Sequence, residues 1–257
     1  MIKIEQGEFR LLACLNGVPR AMPRTARKYL WADTAAYHVI NRGHNRETVF
    51  GNDEEMAYFL TLLGRYRDRF DAQIYHYCLM SNHFHLLLRL PQPQRLSSFM
   101  AGLLRSYVHF YHQRRGFVGH LWQGRFKSPV VQREGYWLSC GRYIERNPQE
   151  AGLVARPWEY RWSSAAVYAL GRSDPLVREL NPCYLDLADQ ASDRRKTWQE
   201  LLLSADPLEQ DVRRAEHFLG DEGFGQGFQQ ERGRSVRRRR GRPAKDATGS
   251  PTKAGAI

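Results

Sequence analysis

The chain has 257 residues, 42% of them hydrophobic and 12% aromatic, enough to bury one large core or a medium one with an appendage, and too much for global disorder. Its formal charge of +12 is uneven: Gln229 to Ile257 hold nine basic and two acidic residues, and the other 228 residues hold 30 and 25. A mildly basic body with a strongly basic end suits a polyanion, nucleic acid being the commonest.

No apolar run approaches the roughly 18 to 20 residues that cross a bilayer, so no membrane partner is expected. The first residues lack the positive, apolar, small-residue layout of a secretion signal. Cys14, Cys78, Cys140 and Cys183 are far apart and form no CxxC pair, which argues against a disulfide framework and a cysteine zinc site. A reducing cytoplasm is the expected compartment, at the nucleoid of a bacterial-type cell. No internal repeat, P-loop or GxGxxG is present.

Residues 1–21 read as an extension before Met22, itself a candidate start. Tyr37 to Asn41 is a short β-type run. A helix follows, with Asn52 or Asp53 as cap, Glu54 and Glu55 at its positive end, and Met56, Phe59, Leu60, Leu63 and Phe70 on one face. Ile74 to Met80 and His83 to Leu90 are strand-like, and Ser81-Asn82 between them suits a hairpin turn. Leu96 to Arg115 has the strongest helical period in the chain, from Leu96 through Phe99, Met100, Leu103, Leu104, Tyr107 and Val108 to Tyr111, with Gly116 as its stop. Pro129 to Val131 is a further strand. Glu134 to Asn147 reads as a helix ended by Pro148, because proline disfavours helical geometry in the residue before it. Short helices are expected between about 190 and 220, and disorder beyond Gln229. These elements predict an α+β architecture: an antiparallel sheet with helices packed on one face.

Two groups of residues carry candidate chemistry. In His83-Phe84-His85, alternate side chains of a strand share a face, so both imidazoles point one way. Two imidazoles side by side are half of a divalent-metal site. Taken alone, they read rather as two partly exposed histidines on a sheet; their place at the start of a strand, directly after a tight turn, favours a site at a sheet edge. Tyr143 and Asn147 lie one helical turn apart, on one face. A tyrosine hydroxyl can be a covalent nucleophile, and an asparagine oxygen can join two imidazoles as a ligand. Spacing alone is also met by an ordinary helix-face aromatic and a C-terminal polar residue. Tyr143 stands out among 13 tyrosines because Arg142 and Arg146 surround it with positive charge, whereas Tyr107 and Tyr111 lie on an apolar stripe.

Tyr75 to Leu88, which reads YHYCLMSNHFHLLL, resembles the His-hydrophobic-His (HUH) region of single-tyrosine transposases. Gly119 to Lys127 (GHLWQGRFK) is similar to a second signature of that family, and Arg142 to Pro148 (RYIERNP) with Ala151 to Val154 (AGLV) to a third. Ala36 to Gly43 (AYHVINRG) resembles its first strand, and Trp162-Ser-Ser164 its end. The nearest branch is the REP-associated tyrosine transposases, relatives of transposases from the smallest insertion sequences, and the resemblance covers about residues 22–170.

The resemblance implies a ferredoxin-like sheet with the histidines on a central strand and the tyrosine on a helix facing it. It implies that His83, His85 and Asn147 ligate magnesium or manganese. Tyr143 would attack a phosphodiester of hairpin-bearing single-stranded DNA, giving a 5′-phosphotyrosine link and a free 3′-hydroxyl for rejoining. Arg42, Arg125, Lys127, Arg142 and Arg146 are expected to contact DNA. Some relatives exchange catalytic helices between subunits and others act alone, so a homodimer stays open. One departure is local. The family's helix often reads YIHLNPVR, whereas here Glu145, Arg146, Gln149 and Glu150 intervene, which bears on DNA contacts rather than on the core chemistry.

In the tail, Arg237, Arg238, Arg239, Arg240 and Arg242 precede Pro243, and the Arg-Gly-Arg-Pro core resembles an AT-hook that would lie in the minor groove of A·T-rich duplex. A generic polycation fits these residues equally well. The expected organisation is therefore an extension (1–21), a transposase domain (22–170), a helical accessory segment (171–228) and a basic tail (229–257). The competing functions are a non-catalytic DNA-binding regulator on the same fold, a nuclease using water in place of tyrosine, and a single-stranded RNA binder. The last rests on a faint signature at Arg115 to Val118.

Overall fold

A computed structural model describes residues 36–226 apart from 117, 134, 222 and 225. The expectations for the N-terminal extension, Met22 and the tail arginines 237–240 and 242 lie outside the described residues.

In chain order the elements are β1 (Ala36–Arg42), α1 (Asp53–Phe70), β2 (Gln73–Met80), β3 (His83–Arg89), α2 (Leu96–Arg115), β4 (Val130–Val131), α3 (Tyr136–Glu150), α4 (Ala165–Leu170), α5 (Pro182–Leu185), α6 (Ala191–Leu203), α7 (Glu209–Arg214) and β5 (Phe218–Leu219). The sheet order is β2-β3-β1-β4-β5. Its first four strands pair antiparallel, and β5 adds in parallel to β4. The run β1-α1-β2-β3-α2-β4 with order 2-3-1-4 is the ferredoxin-like arrangement. β3 and β1 are central, and the edge strand β2 is covered where Leu79 N donates to Trp162 O and Ser164 N donates to Tyr77 O.

Local chemistry explains the element ends. Asn52, not Asp53, caps α1, its side-chain oxygen accepting from Glu55 N, while the Glu55 carboxylate accepts from Gly51 N. Gly116 ends α2 at φ 58°, a left-handed conformation that glycine adopts without steric cost. The β2–β3 hairpin turns at Ser81-Asn82.

Strand alternation divides the interior in two. Val39, Phe84, Leu86 and Leu88 pack with Phe59 and Leu63 of α1 and with Phe99, Leu103 and Tyr107 of α2. Their neighbours on the opposite face, Cys78, Met80 and Leu87, pack with Trp137, Cys140 and Ile144 of α3. The expected α+β class holds, but the helices cover both faces rather than one: α1 and α2 lie on one face and α3 on the other.

α3 also runs through Pro148 to Glu150 instead of ending before it. Proline has no N–H for the Ile144 carbonyl. The Asn147 side-chain amide compensates, Nδ2 lying 2.6 Å from Tyr143 O and 3.4 Å from Ile144 O. α3 also sits unusually close to β2. A Cβ on Gly141 would come within 2.6–2.9 Å of the His76 ring, so only glycine permits this approach.

Candidate active site

β3 presents His83 and His85 on the face that α3 covers, and α3 presents Tyr143 and Asn147 back at them. The His83 and His85 rings lie 5.1 Å apart, and the Tyr143 ring stands edge-on to His85 at 5.4 Å. The four candidate residues are thus gathered in one place. A fifth joins them from β1: His38, whose Nε2 lies 3.0 Å from His85 Nδ1 and whose ring is 5.8 Å from that of Tyr143.

The imidazoles are neutral near pH 7. Burial lowers the pKa of His83 to about 4, helped by the charge of Arg42, while contact with Asn147 opposes the shift. Burial lowers His85 strongly, with His38, His83 and Arg42 adding to the effect. Burial alone takes His38 to about 3. Tyr143 shifts the other way: burial raises its phenol, while the Arg213 and Arg42 charges pull it back. The Arg213 guanidinium lies 5.4 Å over the Tyr143 ring and is itself tied to Glu150 and Glu209.

A divalent cation fits this donor set. Asn82 Nδ2 donates to Arg46 O, so its Oδ1 must accept the Nδ1–H of His83 at 2.6 Å. That leaves the His83 lone pair on Nε2. The Asn147 Nδ2 is spent on Tyr143 O, so Asn147 offers its oxygen. A ring-nitrogen lone pair and an amide oxygen therefore face one another, two acceptors that are compatible only with a proton or a cation between them. Among the described residues no three His, Cys, Asp or Glu side chains form a metal cluster, so the set is two imidazoles and an amide. A set with so few protein donors leaves positions for the oxygens of a phosphate.

The expected DNA-contacting residues separate into two groups. Arg42 is exposed at the end of β1, with its charge felt at both imidazoles. Arg125 and Lys127 are exposed on the segment between α2 and β4 that runs alongside β1, where Lys127 exchanges backbone hydrogen bonds with Ile40. Arg142 and Arg146 do not share this surface. Arg142 is buried, 3.2 Å from Asp206, and donates to Ser204 O; Arg146 donates to Ser204 O and lies 3.6 Å from Glu209. The face of α3 that carries them packs against the α6–α7 connection, so these two cations anchor the C-terminal helices.

Glu145 is also relocated. It does not face DNA but is fully buried, and three donors converge on its carboxyl: His76 Nδ1 at 2.8 Å, Ser164 Oγ at 2.6 Å and Trp198 Nε1 at 2.9 Å. Asn181 fixes the His76 tautomer. Its Oδ1 accepts from Cys183 N, so its Nδ2 points at His76 Nε2 and leaves the ring proton on Nδ1 for Glu145. Ser164 belongs to the terminal Trp-Ser-Ser motif and Trp198 to α6. Of the residues that sequence reading passed over, His38 carried a signal, a histidine inside an otherwise apolar β run, whereas Arg213 carried none.

Among the described residues no helix is long and apolar enough to cross a membrane. Comparison with curated proteins returns no match. A solved structure of a REP-associated tyrosine transposase bound to a REP hairpin aligns with a TM-score of 0.49 at 16% identity, covering 59% of this chain and 89% of that one. Residues 32–147 match the family model described as IS200-like transposase. That stretch contains His38, His83, His85, Tyr143 and Asn147, and over it this chain is similar to the IS200-like transposases.

Proposed function

We propose that the protein cleaves and rejoins single-stranded DNA at hairpin-bearing sites, with Tyr143 as nucleophile and magnesium or manganese held by His83, His85 and Asn147. The observation that carries this reading is the convergence of Tyr143 on the two neutral imidazoles, within a stretch that matches a transposase family.

Tyr143 Oη attacks the scissile phosphorus, the bond from phosphorus to the 3′ oxygen breaks, and the 3′ oxygen leaves as a hydroxyl. The new phosphotyrosine bond keeps the energy of the phosphodiester, so the reverse attack by a 3′-hydroxyl rejoins the strand. When bound, the cation would polarise the phosphate oxygens and steady the charge that develops on them. His83 and His85 are held deprotonated by burial and so keep their lone pairs for it. Asn147 is anchored through Nδ2, which fixes its oxygen. Arg213 and Arg42 stabilise the phenolate form of Tyr143, opposing the cost of burying it. Arg42, Arg125 and Lys127 form the exposed basic margin along which the DNA backbone would run. We read the REP-associated branch and the minor-groove role of the tail in the same way, from the motifs at 119–127, 142–154 and 237–243.

The test is a covalent-adduct assay. Labelled single-stranded hairpin oligonucleotides are incubated with the full chain and manganese, then run on a denaturing gel. An adduct formed by the wild type and absent from Tyr143→Phe supports the reading. Cleavage without an adduct would reassign the nucleophile to water, and binding without cleavage would favour a DNA-binding regulator.

A further inference from the structure

We propose that His38 is a positioning residue for His85: its Nε2 accepts the Nδ1–H of His85, which leaves the His85 lone pair on Nε2 for a divalent cation. This inference rests on reading His83, His85 and Asn147 as the donors to that cation.

The geometry comes from strand register. Ile40 pairs with His85 across the β1–β3 ladder, and His38 is two residues away on the same face, a diagonal neighbour. Both rings are buried and stacked, with centroids 5.2 Å apart, planes 26° apart, and Nε2 of one 3.0 Å from Nδ1 of the other. Two neutral imidazoles in that contact share one proton, so one ring donates and the other accepts. If His38 donated from Nε2, His85 would keep its own proton on Nε2 and could offer no lone pair there. If His85 donates from Nδ1, its Nε2 is free to ligate. The contact therefore decides whether His85 is a competent ligand.

A second observation shows that this arrangement is not ordinary core packing. In the ligating arrangement the proton of His38 sits on Nδ1, and that atom is buried with no hydrogen-bond partner. A leucine would fill the space without that penalty. An imidazole buried with one nitrogen unsatisfied is understandable if the other nitrogen has a task, and that nitrogen is hydrogen-bonded to His85. His83 has its own acceptor of the same kind, Asn82 Oδ1 on Nδ1. Both imidazoles thus have their Nδ1 engaged from behind, and both are directed to present Nε2.

The test uses the full chain with manganese as the probe, read by calorimetry rather than by DNA cleavage. His38→Leu, which removes the acceptor, should weaken manganese binding by about 10- to 100-fold. His38→Gln, whose amide oxygen can sit where Nε2 does, should recover most of it. A Leu variant that binds like wild type overturns the proposal, and so does a Gln variant as impaired as Leu, since packing alone would not separate the two. Because His38→Leu could fail to fold, ¹⁵N-detected ring spectra of wild-type protein saturated with magnesium give an independent readout. Protonated Nδ1 and unprotonated Nε2 on His85 are expected, and the opposite tautomer overturns the assignment. His83→Ala distinguishes the two levels of the argument. If it binds manganese as well as wild type, the cation site itself is misassigned, and the role of His38 falls with it.

Discussion

Tyr143 and Glu145 are two residues apart on α3, Tyr143 half-buried and Glu145 fully buried, and their surroundings are opposite. Three donors meet the Glu145 carboxyl, and the imidazole that supplies one of them is itself held by Asn181. Around Tyr143 stand neutral imidazoles and an amide, its own phenol is kept protonated by burial, and Arg213 and Arg42 are the cations whose charge opposes that shift. A buried polar cluster with every partner present holds a structure together. One side of the helix is a closed network; the other carries the residues proposed to do chemistry.

The comparison can be broken most severely at its two centres. Tyr143→Phe should abolish covalent adduct formation, a loss of about 10³-fold or more, with hairpin binding and thermal stability preserved. Glu145→Leu should do the reverse. Stranding His76, Ser164 and Trp198 in the interior should cost about 3–5 kcal/mol in urea unfolding, with Glu145→Gln much milder. If Glu145→Leu is as stable as wild type, the carboxyl is not the anchor of α3.

The arginines sharpen the contrast at a smaller scale. Arg142→Met leaves Asp206 without its buried partner and should cost roughly 1–3 kcal/mol of stability without changing DNA affinity. Arg42→Ala should leave stability alone and reduce the salt slope of DNA binding by about one unit. Arg213→Gln should slow cleavage by roughly two- to fivefold near neutral pH, because the phenolate loses a cation worth about 0.5–1 kcal/mol.

Acidity separates the two sides as well. His38 and His83 have folded-state values near 3 and 4, below the 6.5 of an unfolded histidine, so the unfolded chain binds more protons between these limits. Their contribution to stability is therefore complete above about pH 6.5 and is lost progressively as the pH falls toward 4. A melting temperature of the metal-free chain that is flat from pH 7 to 4 would show that these rings are not buried as neutral groups.

Much of this arrangement was legible in the residues. The ends of α2, the hairpin at Ser81-Asn82 and the placement of His83 with His85 follow from period and turn chemistry, which act over a few neighbouring residues. The pairing of Tyr143 with Asn147 follows from one helical turn. Legibility fails where partners are distant in sequence. Glu145 reads as a charged residue on a DNA-facing helix until β2, the Trp-Ser-Ser motif and α6 surround it. Arg142 and Arg146 read as DNA contacts until the 204–209 segment is brought against them. Pro148 reads as a helix end until the Asn147 side chain stands in for the missing N–H.

The sequence by itself determined which residues could do chemistry: two imidazoles on one strand face, a tyrosine and an asparagine on one helix face, and a basic excess to meet an anion. It did so because periodicity is a local property of the chain. Only the tertiary structure decided that the two faces meet, that His38 stands behind His85, and which neighbours of Tyr143 are fasteners rather than contacts. Those outcomes depend on packing between residues 47 to 105 positions apart, and burial, not residue type, determines what a histidine, glutamate or arginine does there.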